Sequence, residues 1–539
     1  MPVFQSRLRT GSEEFARNRA DMLALVDRLA ELNARPEAMS ERRRDRFHER
    51  GQLSPRERLS RLLDPGMPFL ELKNLSGHDP RAPAEKDIPG GGNIVGIGFI
   101  EAVRCVIVVD DSGINAGAMT GSGGNRTSRA QVLAREKKMP FVHLVESAGG
   151  DLLNYKVEGF VAGGGLFYRL ALLSAAGVPV VSILHGSSTA GGAYMPGLSD
   201  YVVSVKGRGR AFLAGPPLLK AATGEIATEE QLGGAEMHAT VSGLGEYLAE
   251  DDAQAILMTR EVIDRLSWNS HCPKLDRKSF SPPVLDPEEI AGIVPIDYRR
   301  PYDVREIVAR IVDGSDFLDF KPGYGVSTVC MQAEVFGHAV GILGNNGPID
   351  PDGATKATQF IQLCDQAQTS IVFLQNITGY MVGTEYERAG MIKHGSKMIQ
   401  AVSNVRVPRI TFMVGASFGA GNYGMCGQGY EPDFIFTWPN AKTGVMGGEQ
   451  AAKTMRIVSE AGAARRSAAV DTAMLDAEQA RLAAHFDNQS DAFYTSGKGI
   501  DDGMIDPRHT RKVLGFLLDT CWEAKHRTLQ PNAFGVGRM

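Results

Sequence analysis

The chain has 539 residues, 43% of them hydrophobic and 22% charged, with a formal net charge of −5. That length suits two domains of ordinary size, each with its own core, and the apolar-to-charged balance excludes disordered and fibrous classes. A mildly acidic chain gives no electrostatic ground for nucleic acid or an anionic membrane as partner, and six scattered cysteines without a CxxC pair point to reduced, mostly buried thiols.

Residues 12–35 carry Phe15, Met22, Leu25, Val26, Leu29 and Leu32 at helical spacing, which predicts a leading amphipathic helix. The arginine-rich run 41–50 is interleaved with Glu41, Asp45 and Glu49 and reads as a solvated helix face. Ser54 and Pro55 suit the N-cap and first position of a further helix, stopped by Pro65-Gly66. Apolar runs at 103–109, 141–145 and 180–184 then alternate with helical segments at 129–138 and 166–176, the pattern of a layered α/β domain whose strands are buried on both faces. The proline-rich stretch 271–295 reads as a linker. The alternation resumes with runs at 340–343, 371–374 and 410–414 and helices at 358–366 and 396–403, and residues 449–485 read as exposed helix. No charged-then-apolar leader opens the chain and no apolar run reaches membrane-spanning length, so the expected location is the cytoplasm, with no membrane partner.

The most informative feature is a repeat. From Gly186 the chain reads GSSTAGGAY and from Gly415 it reads GASFGAGNY, 229 positions later (415 − 186). The same offset carries Val178-Pro179 onto Val407-Pro408 and Gly150 onto Gly379. Each copy follows an apolar run and opens a helix, so backbone N–H groups without helical partners point outward at the positive end of a helix dipole. Such a turn stabilises an oxygen that acquires negative charge. Two copies suit a reaction in which two different oxygens need stabilising.

Other features are set against this one. Gly415-Ala-Ser417-Phe-Gly419 also fits G-x-S-x-G, the turn that exposes a nucleophilic serine in α/β-hydrolases, but the first copy lacks the closing glycine, so the shared part is the amide-presenting turn. Segments 146–150 and 375–379 follow their strands at corresponding positions and are expected to line the same cleft, with Gly149, Gly150 and Gly379 as site residues. Gly163, Gly164 and Gly165 together imply either positive φ or room for a ligand. Lys220 and Glu225 supply charge on a stiff turn, and Gly447–Gln450 sits at the roughly equivalent place in the second half. No metal-ligand spacing, P-loop or dinucleotide fingerprint is present, and no biotin-attachment sequence surrounds Lys397-Met398.

Five longer segments, Gly51–Arg58, Phe212–Glu225, Leu232–His238, Phe418–Gly427 and Val445–Gln450, resemble the carboxyltransferase β subunits of methylcrotonyl-CoA and geranyl-CoA carboxylases, and the resemblance runs nearly end to end. It implies an α/β fold of two tandem crotonase-like domains, residues 1–280 for acyl-CoA and 281–539 for carboxybiotin. The resemblance further implies an active site between the first half of one subunit and the second half of another. The partner is a biotin carboxylase/carboxyl carrier α subunit that bears the biotin, around a β6 core of an α6β6 complex. The chemistry it implies is loss of CO2 from carboxybiotin, removal of an acidic acyl-CoA proton by the ureido nitrogen, and attack of the thioester enolate on CO2, so that two oxyanions arise in turn. In this scheme the amides of Ala190, Gly191 and Gly192 hold the thioester oxygen and those of Gly419, Ala420 and Gly421 the ureido oxygen. Gly149, Gly150, Gly163–Gly165 and Tyr194 then line the acyl-CoA side, and Gly379, Phe418 and Tyr423 the biotin side.

Two departures stand out. Asn115, within Gly113–Gly117, replaces a lysine of the methylcrotonyl-type turn, and Gly163 falls where those enzymes carry phenylalanine, as geranyl-type enzymes also have glycine. The missing ring favours a longer or branched acyl group. Rival readings are a crotonase-type hydratase or isomerase using Glu146 or Glu225 as acid/base, a hydrolase using Ser417, and a non-catalytic scaffold.

Overall fold

The computed structural model describes residues 4–84, 86–150, 156–466, 472–532 and 535–537. It divides into two compact units that are discontinuous in sequence. The first comprises Glu31–Leu275 with Asp519–Met539, the second Met1–Ala30 with Asp276–Leu518.

In the first unit an eight-stranded sheet runs in the order Leu70–Glu71, Asn93–Ile100, Val103–Asp110, Phe141–Ser147, Val180–Thr189, Tyr201–Val205, Tyr247–Ala249, with Arg210–Phe212 added beside the end of Val180–Thr189. The first three strands pair antiparallel and the rest parallel. The second unit repeats this plan: Phe317–Asp319, Thr328–Val335 and His338–Asn345 antiparallel, then Ser370–Ile377, Arg409–Phe418 and Phe434–Thr437 parallel, with Lys442–Gly444 beside the end of Arg409–Phe418. Central strands are buried almost residue for residue, as expected where helices cover both faces. Ile107, Val142, Ile183 and Trp268 belong to the core of the first unit; Leu343, Phe360, Phe373 and Met398 belong to that of the second.

The alignment of the two units is not a single offset. Val142 pairs with Val181 and Val372 with Ile410, so the strand pair matches with a shift of 230 on one strand (372 − 142) and 229 on the other (410 − 181). Gly149, not Gly150, is therefore the counterpart of Gly379, and both have positive φ, 87° and 129°. The segments 146–150 and 375–379 are thus out of register by one residue.

Most expected elements form with earlier starts. The helix expected at 129–138 is Gly121–Glu136, capped by Thr120, whose hydroxyl accepts the Gly123 amide. That expected at 358–366 is Pro351–Gln366, capped by Asp350. The helix over Pro55–Leu62 has the expected Ser54 cap, reinforced by Glu57 into a capping box. The expected helix 449–485 is two helices, Gly448–Arg465 and Thr472–Ser490, with 467–471 outside the described residues. The expected linker ends early, because Ile290–Ile293 is a buried helical turn. Among the described residues, no helix is long and apolar enough to cross a membrane. All six cysteines are free and all but Cys272 are buried.

Candidate active site

Each repeat builds the same strand-to-helix joint. Strand Val180–Thr189 turns at Ala190 into a short 3-10 turn, Ala190–Ala193; strand Arg409–Phe418 turns at Gly419 into helix Ala420–Gly424. Ala190 and Gly419 occupy equivalent positions and share positive φ, 52° and 57°. A Cβ is disfavoured there by about 1–2 kcal/mol, so Ala190 is held left-handed by its surroundings. The amides that follow, Gly191-Gly192 and Ala420-Gly421, start helical turns and have no carbonyl one turn earlier to bond. Gly419 itself donates its amide to the Gly444 carbonyl at 2.9 Å, so in the second repeat the expected set of three donors reduces to Ala420 and Gly421.

The glycines of the turn face protein rather than open space. A Cβ on Gly192 would lie 3.0 Å from Ser188 Oγ and 3.4 Å from Ser147 Cβ; one on Gly421 would lie 2.6 Å from Ile377 Cγ1 and 3.2 Å from the Gly379 Cα. Their small size lets the turn press onto the neighbouring strand end, which is a different reason for glycine than clearing a path for substrate. Gly149 is close behind, since a Cβ there would come 3.3 Å from the Thr189 carbonyl. Tyr194 and Tyr423, equivalent by the 229 offset, are 47% and 49% exposed beside their turns. Phe418, expected on the biotin side, is instead 3% exposed with its ring 5.1 Å from that of Tyr298, so it belongs to the core.

Gly163 closes helix Val157–Gly163 and Gly165 opens helix Gly165–Ala175. None of Gly163–Gly165 has positive φ, which removes the conformational reason for them. A Cβ on Gly163 would meet nothing within 4 Å. The same stretch exposes Val157, Phe160 and Tyr168, Phe160 by 72%, while Phe167 packs against Gly191 and the Tyr194 ring. Apolar side chains therefore surround the first turn.

Ser417 is not a nucleophile. It is fully buried on the strand, donates to Gln375 Oε1 at 2.5 Å and accepts from Asn422 Nδ2 at 2.7 Å. Gln375 in turn donates to the Met425 carbonyl at 2.7 Å. This relay locks the second turn to its strand. Glu146, the candidate acid/base, is held by Arg58, whose Nη1 donates to it at 2.5 Å. Arg58 also donates through Nε to Asp252 at 3.1 Å, and Asp252 accepts from His185 Nδ1 at 2.9 Å and from the Leu53 amide at 2.8 Å. Burial alone would raise the Asp252 carboxyl; the His185 hydrogen bond and the His185 and Arg58 charges outweigh it and hold it at about 2. Glu225 lies exposed after helix Pro216–Thr223.

The carboxyl transferase domain model matches residues 46–536. The probable biotin-dependent acyl-coenzyme A carboxylase beta2 subunit of Mycobacterium tuberculosis is 47% identical over 92% of each chain, and the biotin-dependent 3-methylcrotonyl-coenzyme A carboxylase beta1 subunit of the same organism is 42% identical over 95% of this chain and 96% of that one. The crystal structure of the P. aeruginosa geranyl-CoA carboxylase (GCC) beta subunit is 51% identical and superposes with a TM-score of 0.93 over 100% of both chains. The chain belongs to the carboxyl transferase family. It is an enzyme, a β subunit of the biotin-dependent acyl-CoA carboxylase class, with the two-domain crotonase-like fold of that class.

Within this carboxyltransferase, sequence reasoning located both turns but missed what fixes them. Asn115, Ala116 and Gly117 form a left-handed turn with φ of 47°, 52° and 77°, and the Gly117 carbonyl accepts the Ala148 amide at 3.0 Å. The Arg58 cluster was also missed, although its arginine ends the Gly51–Arg58 motif.

Proposed function

We propose that this carboxyltransferase moves CO2 from a biotin carried on a partner subunit to an acyl-CoA with a longer or branched acyl group, closer to geranyl-CoA than to 3-methylcrotonyl-CoA. The observation that carries the reading is the pair of equivalent turns, each with two helix-opening amides. In the first unit the amides of Gly191 and Gly192, directed by left-handed Ala190, hold the thioester oxygen as it gains charge. Gly149, Gly150 and Tyr194 border that position. In the second unit those of Ala420 and Gly421, with Gly379 and Tyr423 beside them, hold the ureido oxygen of biotin. Carboxybiotin supplies CO2 and, once emptied, a basic nitrogen, so no side chain of this chain need act as base.

Gly163 supports the choice of substrate. Its Cβ position is open and apolar side chains surround it, so the residue that resembles geranyl-type enzymes also leaves room for an acyl tail. The exposed apolar residues of the first unit, and Val382, Ile392 and Val445 of the second, suit a homo-oligomer in which turns of different subunits face each other, a β6 core with a biotin-bearing α subunit. Free, mostly buried cysteines suit the cytoplasm.

The test is to purify the complex with its co-eluting biotinylated chain and assay ATP-dependent bicarbonate fixation with geranyl-CoA and 3-methylcrotonyl-CoA. Geranyl-CoA is expected to give the higher kcat/KM, and Gly163→Phe to lower it by roughly 10-fold or more while sparing 3-methylcrotonyl-CoA. Equal loss with both substrates, or a preference for the short one, defeats the substrate assignment.

A further inference from the structure

The ladder between Phe141–Ser147 and Val180–Thr189 is irregular near its end: between the pairs Val145–Leu184 and Ser147–Ser188 the second strand bulges, with His185, Gly186 and Ser187 opposite the single residue Glu146. In the second unit Asn376 is likewise the single residue opposite a bulge, Val414–Ala416, of strand Arg409–Phe418. Glu146 and Asn376 fill the space left by the first glycine of the repeat, which sits in the bulge, for a Cβ on Gly186 would come 2.7 Å from Glu146 Cγ and one on Gly415 would collide with the Asn376 amide. Asn376 also accepts the Ala416 amide at 3.2 Å. The residue opposite the bulge therefore sets how the strand carrying the turn lies on its neighbour.

What secures the turn differs. The second unit has the relay Gln375–Ser417–Asn422, which runs from strand to strand to the helix after the turn. In the first unit the equivalent positions are Val145, Ser188 and Ala193, and among the described residues Ser188 Oγ is buried with no hydrogen-bond partner. The relay is missing. In its place the first unit has Arg58, 1% exposed in its side chain, gripping Glu146 on one side and Asp252 on the other. Asp252 opens helix Asp252–Arg265 and binds His185, the residue just before Gly186. The cluster joins two helices to both strands at the point where they enter the site.

We propose that Glu146, clamped by Arg58, is a positioning residue that holds the Ala190–Gly192 turn in place for the acyl-CoA half of the reaction. This rests on the reading of Gly191 and Gly192 as the cradle for the thioester oxygen. An oxyanion cradle acts on the transition state more than on bound substrate, so misplacing it lowers kcat with little change in KM.

The experiment uses the assembled complex and geranyl-CoA and 3-methylcrotonyl-CoA as substrates. Glu146→Gln keeps the shape of the side chain and leaves Arg58 paired with Asp252, so the unit retains a balanced charge. Its kcat is expected to fall 10- to 100-fold, its KM for acyl-CoA to change less than threefold, and its pH–rate profile to keep the wild-type shape. Adding Val145→Gln with Ala193→Asn, which supplies the relay of the other unit, is expected to restore at least fivefold of the loss. A wild-type kcat in E146Q overturns the proposal. So does a folded triple variant without recovery, or a pH–rate profile that loses a limb in E146Q, since either result makes the carboxylate a chemical participant; the profile decides should the triple variant not fold. Full activity in Gly192→Val would instead defeat the cradle reading, whatever Glu146 does.

Discussion

The two units carry one backbone device and stiffen it in opposite ways. In the second, neutral groups of the strand pair and the following helix, Gln375, Ser417 and Asn422, bond to one another inside the fold. In the first, the corresponding interior positions are apolar or unpartnered, and an ion cluster of Arg58, Glu146 and Asp252 is brought in from two helices. Duplication preserved the turn, in which the direction of a few amides is fixed, while each copy found its own support. The comparison separates what the chemistry needs from what the fold needs.

The largest effects are expected at the glycines that press the turns onto their neighbours. Gly421→Ala puts a Cβ 2.6 Å from Ile377 Cγ1 and near the Gly379 backbone, whereas Gly192→Ala meets a hydroxyl that can rotate away. Losing one oxyanion donor costs about 10²- to 10³-fold in rate, so Gly421→Ala is expected to lose about 100-fold in kcat and Gly192→Ala about 10-fold. The valine variants of both should be inactive. Steady-state carboxylation assays on the assembled complex measure this, and the reverse order would show that the two turns are not packed as described.

The serines come next. Ser417→Ala removes the middle of the relay and strands the buried amide of Gln375 and the half-buried one of Asn422, at a cost of about 1–3 kcal/mol. Ser188→Ala removes a hydroxyl that has no partner among the described residues and should change stability by less than about 0.5 kcal/mol. Denaturant unfolding of the two variants reads the difference directly. Ser417 should also stay unlabelled by a fluorophosphonate, because it is buried on a strand and its partners are amides.

Much of this was legible in the residues. Apolar runs mark the central strands, and the repeat with its glycines marks both turns. The rest was hidden for physical reasons. A strand buried on both faces gives no period from which to tell inward from outward, so nothing in its residues shows that the Phe418 ring packs on Tyr298. Glycines at 121, 123 and 124 masked the start of a helix that Thr120 caps. A single offset of 229 could not register the extra residue that makes Gly149 the partner of Gly379. Arg58 finds Glu146 and Asp252 at sequence separations of 88 and 194, which no local pattern reveals.

Ala190 offers a smaller test of equivalence with Gly419. Both residues have positive φ, but only one carries a Cβ, and the ψ of −149° at Gly419 lies outside the left-handed helical region. Ala190→Gly should relieve the strain and stabilise the first unit by about 1 kcal/mol, with activity retained, whereas Gly419→Ala should destabilise the second by about 1–3 kcal/mol, since φ 57° with ψ −149° is essentially a glycine conformation and its Cβ would also come 3.2 Å from the Val445 carbonyl. Thermal unfolding of the two variants should therefore shift in opposite directions.

The last contrast is in pH dependence, because one support titrates and the other does not. Burial, and then the Arg58 charge, lower the pKa of His185 below its ordinary 6.5 against the opposing pull of Asp252 and Glu146. Between that lowered value and about 6.5 the unfolded chain binds a proton that the folded chain does not, so stability rises with pH and falls as pH drops below about 6.5. Asp252 is held at about 2, so its contribution is present above the unfolded carboxyl value of about 4 and is lost only as pH falls from there towards 2. The Gln375–Ser417–Asn422 relay has no ionisable member. Hydrogen exchange between pH 7 and 5, corrected for intrinsic rates, should show protection declining along Val180–Thr189 and holding along Arg409–Phe418. His185→Asn keeps a donor to Asp252 and removes the titration, so it should flatten the decline. An equal decline in both strands, or an unchanged slope in that variant, would show that the ion cluster does not govern the stability of the first turn.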